Sequence, residues 1–319
     1  MGMVNFSGGI MSAGIPVLGS QAIMSQGDSY FLDPLNGSDG NNGKRIDKAF
    51  KTLAAAYTAL TAGQNDVLYY LSGSTSLSMA ATLDWAKSYT HLIGIGAPSH
   101  DSQRTRIFHS ANFSPMITVS GSGCRFENLY FSYGDGGADN HILMTVTGSR
   151  NYFGNIHFSA MSHQTEADDA DSIAVFLNGT ESNLFDHCNF GNQNVTRGDA
   201  NTLISLDGTT KRNKFANCLF QAQTDAATPT LVRSEDSAAI DQLGCWFYEC
   251  LFWVQGTAID QAFDLHALGA NRQIAITGAS TMFVGCTDVA DATGDQQIFC
   301  PNPTSTSNII LLATSPTAA

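Results

Sequence analysis

The chain has 319 residues, Lys+Arg 15 against Asp+Glu 28, and a formal net charge of −13. Only 13% of residues are charged while 43% are hydrophobic, so a disordered chain is excluded and there is material for a large core. The scarcity of Lys and Arg excludes a broad basic face for nucleic acid, and no run of about 18 apolar residues predicts a membrane-spanning helix.

Residues 1–27 are rich in Gly, Ser, Met and Ala and show neither a helical nor an alternating period. They have no basic stretch leading into an apolar run with a cleavage site, so no signal peptide is expected. We read them as an extended arm whose apolar residues, Phe6, Ile10, Ile15, Val17 and Leu18 with Ile23, pack on a neighbouring subunit. A frayed terminus is the plainer alternative.

Residues 28–75 read as a cap. Asp33 to Gly43 is turn-rich, and its Asp39-Gly-Asn41-Asn-Gly43 run has the spacing of a calcium loop. The position where such a loop needs its bidentate acid is Phe50, so turn chemistry is expected instead. From Ile46 to Gly63, Phe50, Leu53, Tyr57 and Leu60 fall on one helical face, with Thr52 or Asp47 as the cap and Gly63 as the stop. Asp66 to Leu71 is expected as the first strand. A helix of this kind covers the open end of a stacked sheet.

Residues 76–300 carry a repeat, F-x-x-[CLI]-x-F, at irregular intervals of roughly thirty residues. It begins at Phe126, Phe153, Phe185, Phe215, Phe247 and Phe283, and its middle position is Leu129, Ile156, Cys188, Cys218, Cys250 and Cys286. A second strand signal and a glycine precede most copies, for example Ile142 to Gly148 and Ile173 to Gly179. Each unit therefore reads as strand, glycine turn, strand, bend, strand, loop. The odd spacing between the first Phe and the middle position requires a bend. Asn128, Asn155 and Asn217 suit it, because asparagine tolerates left-handed backbone angles. One unit cannot bury its own apolar face, so units must stack. The reading is an all-β, right-handed parallel β-helix with its Phe residues in columns and Cys188, Cys218, Cys250 and Cys286 in an inward ladder. A metal-binding cysteine column and an antiparallel sandwich are the alternatives. Seven cysteines, with no CxxC pair, predict neither a disulfide framework nor a zinc site. Residues 301–319 read as a tail.

Two segments then carry a resemblance. The run from Phe31-Leu-Asp-Pro to Tyr57, followed by Asn65-Asp-Val-Leu, resembles the opening of pectate-lyase-like right-handed parallel β-helix proteins. Trp85-Ala-Lys-Ser-Tyr-Thr-His91-Leu-Ile-Gly-Ile-Gly96-Ala-Pro, with Arg104-Thr-Arg-Ile107, resembles β-helix virion proteins of tailed bacteriophages. The resemblance spans roughly residues 30–290 and implies a virion part, commonly a homotrimer.

Candidate chemistry is sparse. Glu166, Asp168, Asp169 and Asp171 form the densest acidic group, suited to glycoside hydrolysis or calcium, or else a solvated surface loop. Asp135, Asp139 and His141 form a weaker one; Asp264 and His266 lie two apart on a strand. His157 and His187 receive structural roles. The pectate-lyase resemblance implies calcium carboxylates with a catalytic Arg or Lys, but Arg197, Lys211, Arg212 and Lys214 fall in turns. The expectation is accordingly a protein that is not an enzyme and has no catalytic residue, cofactor or metal. It is a capsid decoration or cement protein on the virion exterior, a homotrimer held to the major capsid protein or other virion subunits by its arm, with no nucleic acid or membrane partner. A tailspike-like glycan depolymerase or lyase, or an adhesin for host glycan, is the alternative.

Overall fold

The computed structural model describes residues 27–290, apart from 110, 135, 137–141, 237–238, 241–243 and 266–273, together with short strands at 11–12, 15–16, 298–299 and 310–312. The chain winds as a right-handed parallel β-solenoid. Three faces run along it. The first is built from Asp66–Leu71, Thr90–Ile95, the start of Arg125–Ser132 and of Tyr152–Ser159, Leu184–Asp186, Lys214–Ala216, Cys245–Tyr248 and Ile274–Thr277. The second holds Arg106–His109, the ends of the two long strands, Asn189–Phe190, Leu219–Thr224, Leu251–Gly256 and Met282–Val284. The third runs from Leu83–Asp84 to Cys286–Ala290. Every pairing within these faces is parallel, which excludes the sandwich.

The aromatic columns explain the repeat. Phe126, Phe153, Phe185, Phe215 and Phe247 stack face to face, with ring centroids 5.2, 4.5, 4.8 and 4.6 Å apart in turn. A second column, Phe131, Phe158, Phe190, Phe220 and Phe252, packs edge-on against the first. All these rings are fully buried. Each contributes roughly 1.5–3 kcal/mol of burial, so the solenoid's stability is distributed along its length.

Two ladder assignments need correction. Phe283 lies in the second column, 4.5 Å from Phe252. The first-column place above Phe247 is taken by Ile276, because Ile274–Thr277 is a first-face strand. Cys286 consequently lies on the third face opposite Ile259, outside the thiol ladder. Cys188, Cys218 and Cys250 are buried and consecutive in register, and the next place is held by Thr281, which precedes Met282 as Cys250 precedes Leu251.

The cap also differs in detail. Ser29–Leu32 is already a solenoid strand, pairing in parallel with Asp66–Leu71. The helix is short, Leu53–Ala59, with Thr52 as its cap, while Ile46–Lys48 forms a 3-10 turn. Asp39 accepts from the Lys51 and Thr52 backbone N–H groups, both at 2.9 Å, and thereby pins the turn-rich loop to the start of the helix.

At the ends, Met11–Ser12 and Ile15–Pro16 pair antiparallel. Phe6, Ile10, Val17 and Leu18 lie outside the described residues, and of Ile15 only the backbone is described. Ile310–Leu312, within the segment expected as a tail, pairs in parallel with Met282–Val284.

Candidate functional site

Five consecutive corners between the first and second faces use a left-handed residue: Asn128, Asn155, His187, Asn217 and Glu249, with φ of 55, 47, 52, 55 and 53°. The asparagines form only a broken ladder. Asn155 Nδ2 donates to Asn128 Oδ1 at 3.2 Å, and Asn217 Nδ2 turns to Asp186 Oδ1 at 3.3 Å because His187 interrupts the series.

Beside this corner lies a groove of about 470 Å³, lined by Pro98, His100, Glu127, Asn128, Tyr152, Gly154, Asn155, Asp186 and His187. Its floor depends on a missing side chain. A Cβ on Gly154 would lie 2.5 Å from Tyr152 Cε1 and 2.6 Å from its hydroxyl, so the tyrosine ring occupies the space above the glycine. Glu127, Gly154 and Asp186 are register partners on consecutive coils. The carboxylates therefore project from strands on either side of the one that carries the tyrosine ring, with α-carbons separated by two strand spacings, roughly 9.6 Å.

Each group is held. Arg125 lies 2.5 Å from Glu127 Oε2, with its guanidinium over the Tyr152 ring. Asp186 Oδ1 is 2.9 Å from His187 Nδ1, and Asp186 Oδ2 accepts from the Tyr152 hydroxyl at 3.4 Å. Burial, helped by Asp186 and Glu127, pushes the Tyr152 hydroxyl up to about 12, so it stays protonated and acts as a donor. One wall is the loop at 96–104. His157 Nδ1 is 2.7 Å from Asp101 Oδ1, His157 Nε2 is 2.7 Å from the Gly191 carbonyl, and Gln103 Nε2 donates to the Asn155 carbonyl at 2.9 Å. The hydrogen bond to His157 holds the Asp101 carboxyl below the ordinary range, while burial, with His187 and His157 nearby, lowers His100. An exposed imidazole bonded to a carboxylate, a second imidazole opposite and a donor phenol can bind a hydroxylated ligand and move a proton.

The acidic residues singled out by sequence are elsewhere. Asp168 caps the short helix Gln164–Ala167 and accepts from Gln164, and Asp169 accepts from the Asp171 backbone. Glu166, expected in a solvated loop, is fully buried and accepts from the Gly136 backbone at 2.9 Å. Asp264 ends its strand opposite Arg233, while Asp135, Asp139, His141 and His266 lie outside the described residues. Of the two histidines read as structural, His187 lines the groove, while His157 is buried outside its lining and holds Asp101 of the adjoining loop. Among the described residues no group of three or more His, Cys, Asp or Glu could hold a metal ion, and no helix is long and apolar enough to cross a membrane.

A second asparagine series escaped the sequence reading. Asn151, Asn183 and Asn213, almost wholly buried, form a continuous ladder: Asn151 Oδ1 accepts from Cys124 N, Asn183 Oδ1 from Asn151 N, and Asn213 Oδ1 from Asn183 N. The signal was present, two residues before each first-column Phe, but Cys124 and Cys245 occupy the equivalent places in the flanking coils.

No protein-family profile matches the chain, and no curated protein does. Among solved structures, a pectin methylesterase in complex with a hexasaccharide is similar at TM-score 0.53 and 13% identity, covering 83% of this chain and 89% of that one. A rhamnogalacturonan lyase is similar at TM-score 0.51 and 15% identity, over 81% of this chain and 74% of that one. An ORF18 protein of Geobacillus virus E2 has TM-score 0.44 and 11% identity, over 86% of this chain and 60% of that one. The first two likenesses, to the pectin methylesterase and the rhamnogalacturonan lyase, are of fold alone. They correct one expectation. The chain was read as not an enzyme, yet the folds it matches are those of glycan-processing enzymes. The groove described above draws single residues from three coils and one loop, so it leaves no contiguous motif for a sequence reading to find.

Proposed function

We propose that the chain is a glycan-processing β-helix that works along the outer first face. One observation carries this reading: Tyr152 lies over Gly154, on the strand between those of Glu127 and Asp186, in a groove about 470 Å³ in volume. A sugar ring offers an apolar face for an aromatic ring and hydroxyls for carboxylates, which matches that arrangement. The Asp186–His187 pair supplies general acid–base catalysis at the groove's edge. The named activities of the pectin methylesterase and the rhamnogalacturonan lyase support the reading by analogy of scaffold.

The setting we propose is the exterior of a tailed-phage particle, as a homotrimer attached to other virion subunits through the N-terminal segment. The resemblance of residues 85–107 supports this, and a net charge of −13 suits a part kept away from packaged DNA. Immunogold labelling of intact particles checks it, and absence of the chain from purified virions overturns it. The activity is tested by incubating a polysaccharide panel with the wild type and with Asp186→Asn and following new reducing or unsaturated ends. Products from the wild type alone support the assignment; product formation that Asp186→Asn leaves unchanged refutes this site.

A further inference from the structure

We infer that the glycan taken by this face is an uncharged polymer, and that Trp246 and Tyr248 grip its far end. The inference rests on the reading of the groove given above.

The outward positions of the first face form two columns in register. One runs Glu127, Gly154, Asp186, Ala216, Tyr248; the other runs Arg125, Tyr152, Leu184, Lys214, Trp246. Ala216, the residue of this column between Asp186 and Tyr248, places no long side chain between the groove and Tyr248. The distance from Asp186 to Tyr248 is two strand spacings, roughly 9.6 Å. A linear polymer lying in the groove and following the solenoid axis therefore reaches both aromatic side chains.

Trp246 and Tyr248 are 47% and 41% exposed, while Cys245 and Phe247 beside them are buried. Two large aromatic side chains on one outward strand, with Lys214 Nζ 4.9 Å from the Tyr248 ring centroid, form a contiguous apolar ledge with a polar rim. Tryptophan and tyrosine at such positions are typical binding anchors.

The charges select the ligand. Glu127 and Asp186 face the path, and Glu249 stands at its corner, where its carboxylate accepts from the Ala279 and Ser280 backbone at 3.2 and 2.8 Å. Of the cations on this face, Arg125 is committed to Glu127 and Lys214 lies against Tyr248. A polyanion needs a row of available cations, and here it would meet carboxylates on a chain of net charge −13. A neutral polymer incurs no such repulsion and offers ring faces to Tyr152, Tyr248 and Trp246.

The test is an intrinsic-fluorescence titration of the full chain. The probes are a panel of neutral glucans, xylans, mannans and galactans, neutral oligosaccharides of increasing length, and polygalacturonate. We expect at least one neutral polymer to bind and to quench tryptophan emission, with polygalacturonate weaker. Trp246→Ala with Tyr248→Ala is expected to weaken long oligosaccharides about tenfold and to leave the shortest unchanged, with Trp246→Phe restoring most of the loss. Tyr152→Ala is expected to weaken both lengths. Preference for polygalacturonate overturns the neutral assignment. If the Trp246 and Tyr248 variants bind as the wild type does while Tyr152→Ala does not, the ledge is refuted and the groove stands. If only the ledge variants lose binding, the groove reading falls instead. Binding of no glycan refutes both.

Discussion

Tyr152 owes its position to a residue without a side chain. Gly154 leaves the space the ring fills, so Gly154→Ala must displace the ring and not the backbone. Glycan affinity is expected to fall about tenfold, roughly 1.4 kcal/mol, with thermal unfolding nearly unchanged, as read by titration and melting of the same sample. Asp101 works on the groove's other side. Its carboxyl is held below the ordinary aspartate range, so the hold of the 96–104 loop is complete above that range and is lost as pH falls through the lowered value. Hydrogen exchange in this loop is expected to quicken below about pH 4 in the wild type, and Asp101→Asn is expected to show fast exchange already at neutral pH. A flat exchange profile across acid pH would remove the latch from the account.

At the scale of the strand and its corner, the buried asparagine ladder makes a different demand from the phenylalanine columns. Asn183 accepts from Asn151 N and donates to the Gly148 carbonyl at 3.1 Å. Asn183→Ala leaves both groups buried without a partner, at a cost of about 2 kcal/mol in unfolding free energy. Phe185→Ala, in the middle of its column, is expected to cost about 3–5 kcal/mol. Chemical denaturation of the two variants orders them. The columns were legible in sequence because burial enforces one residue type at a fixed spacing. The misplaced sixth unit shows the limit: Ile276 replaces phenylalanine in the first column, so the pattern alone slid Phe283 one strand too far. The corner was only half legible, since His187 and Glu249 adopt the same left-handed angles as the asparagines without advertising them. Asp186 and Glu127 were not legible as a pair, because what joins them is the register of coils and not their distance in sequence.

For the molecule as a whole, the six thiols among the described residues are all buried. Burial raises Cys218 and Cys250 well above the usual thiol range, and Cys245 and Cys286 to about 12. A thiol that stays protonated is a poor nucleophile. Because all six are buried away from reagent, labelling by a small thiol reagent at neutral pH is expected to spare them in the folded chain and to modify all of them in denaturant. Rapid native labelling of Cys188, Cys218 or Cys250, located by peptide mapping, would contradict the dry interior.

The stacking of equivalent coils turns the solenoid into a ruler graduated in strand spacings. Joining Lys214 directly to Phe247 excises one complete coil between equivalent marks and leaves Lys214 next to Phe247, as Trp246 is now. Tyr248 would then stand one graduation from Asp186 instead of two, and the oligosaccharide length at which affinity levels off would shorten in step. The reach of the molecule along a polymer is thus set by how many coils separate its contacts, and it can be changed only in whole divisions.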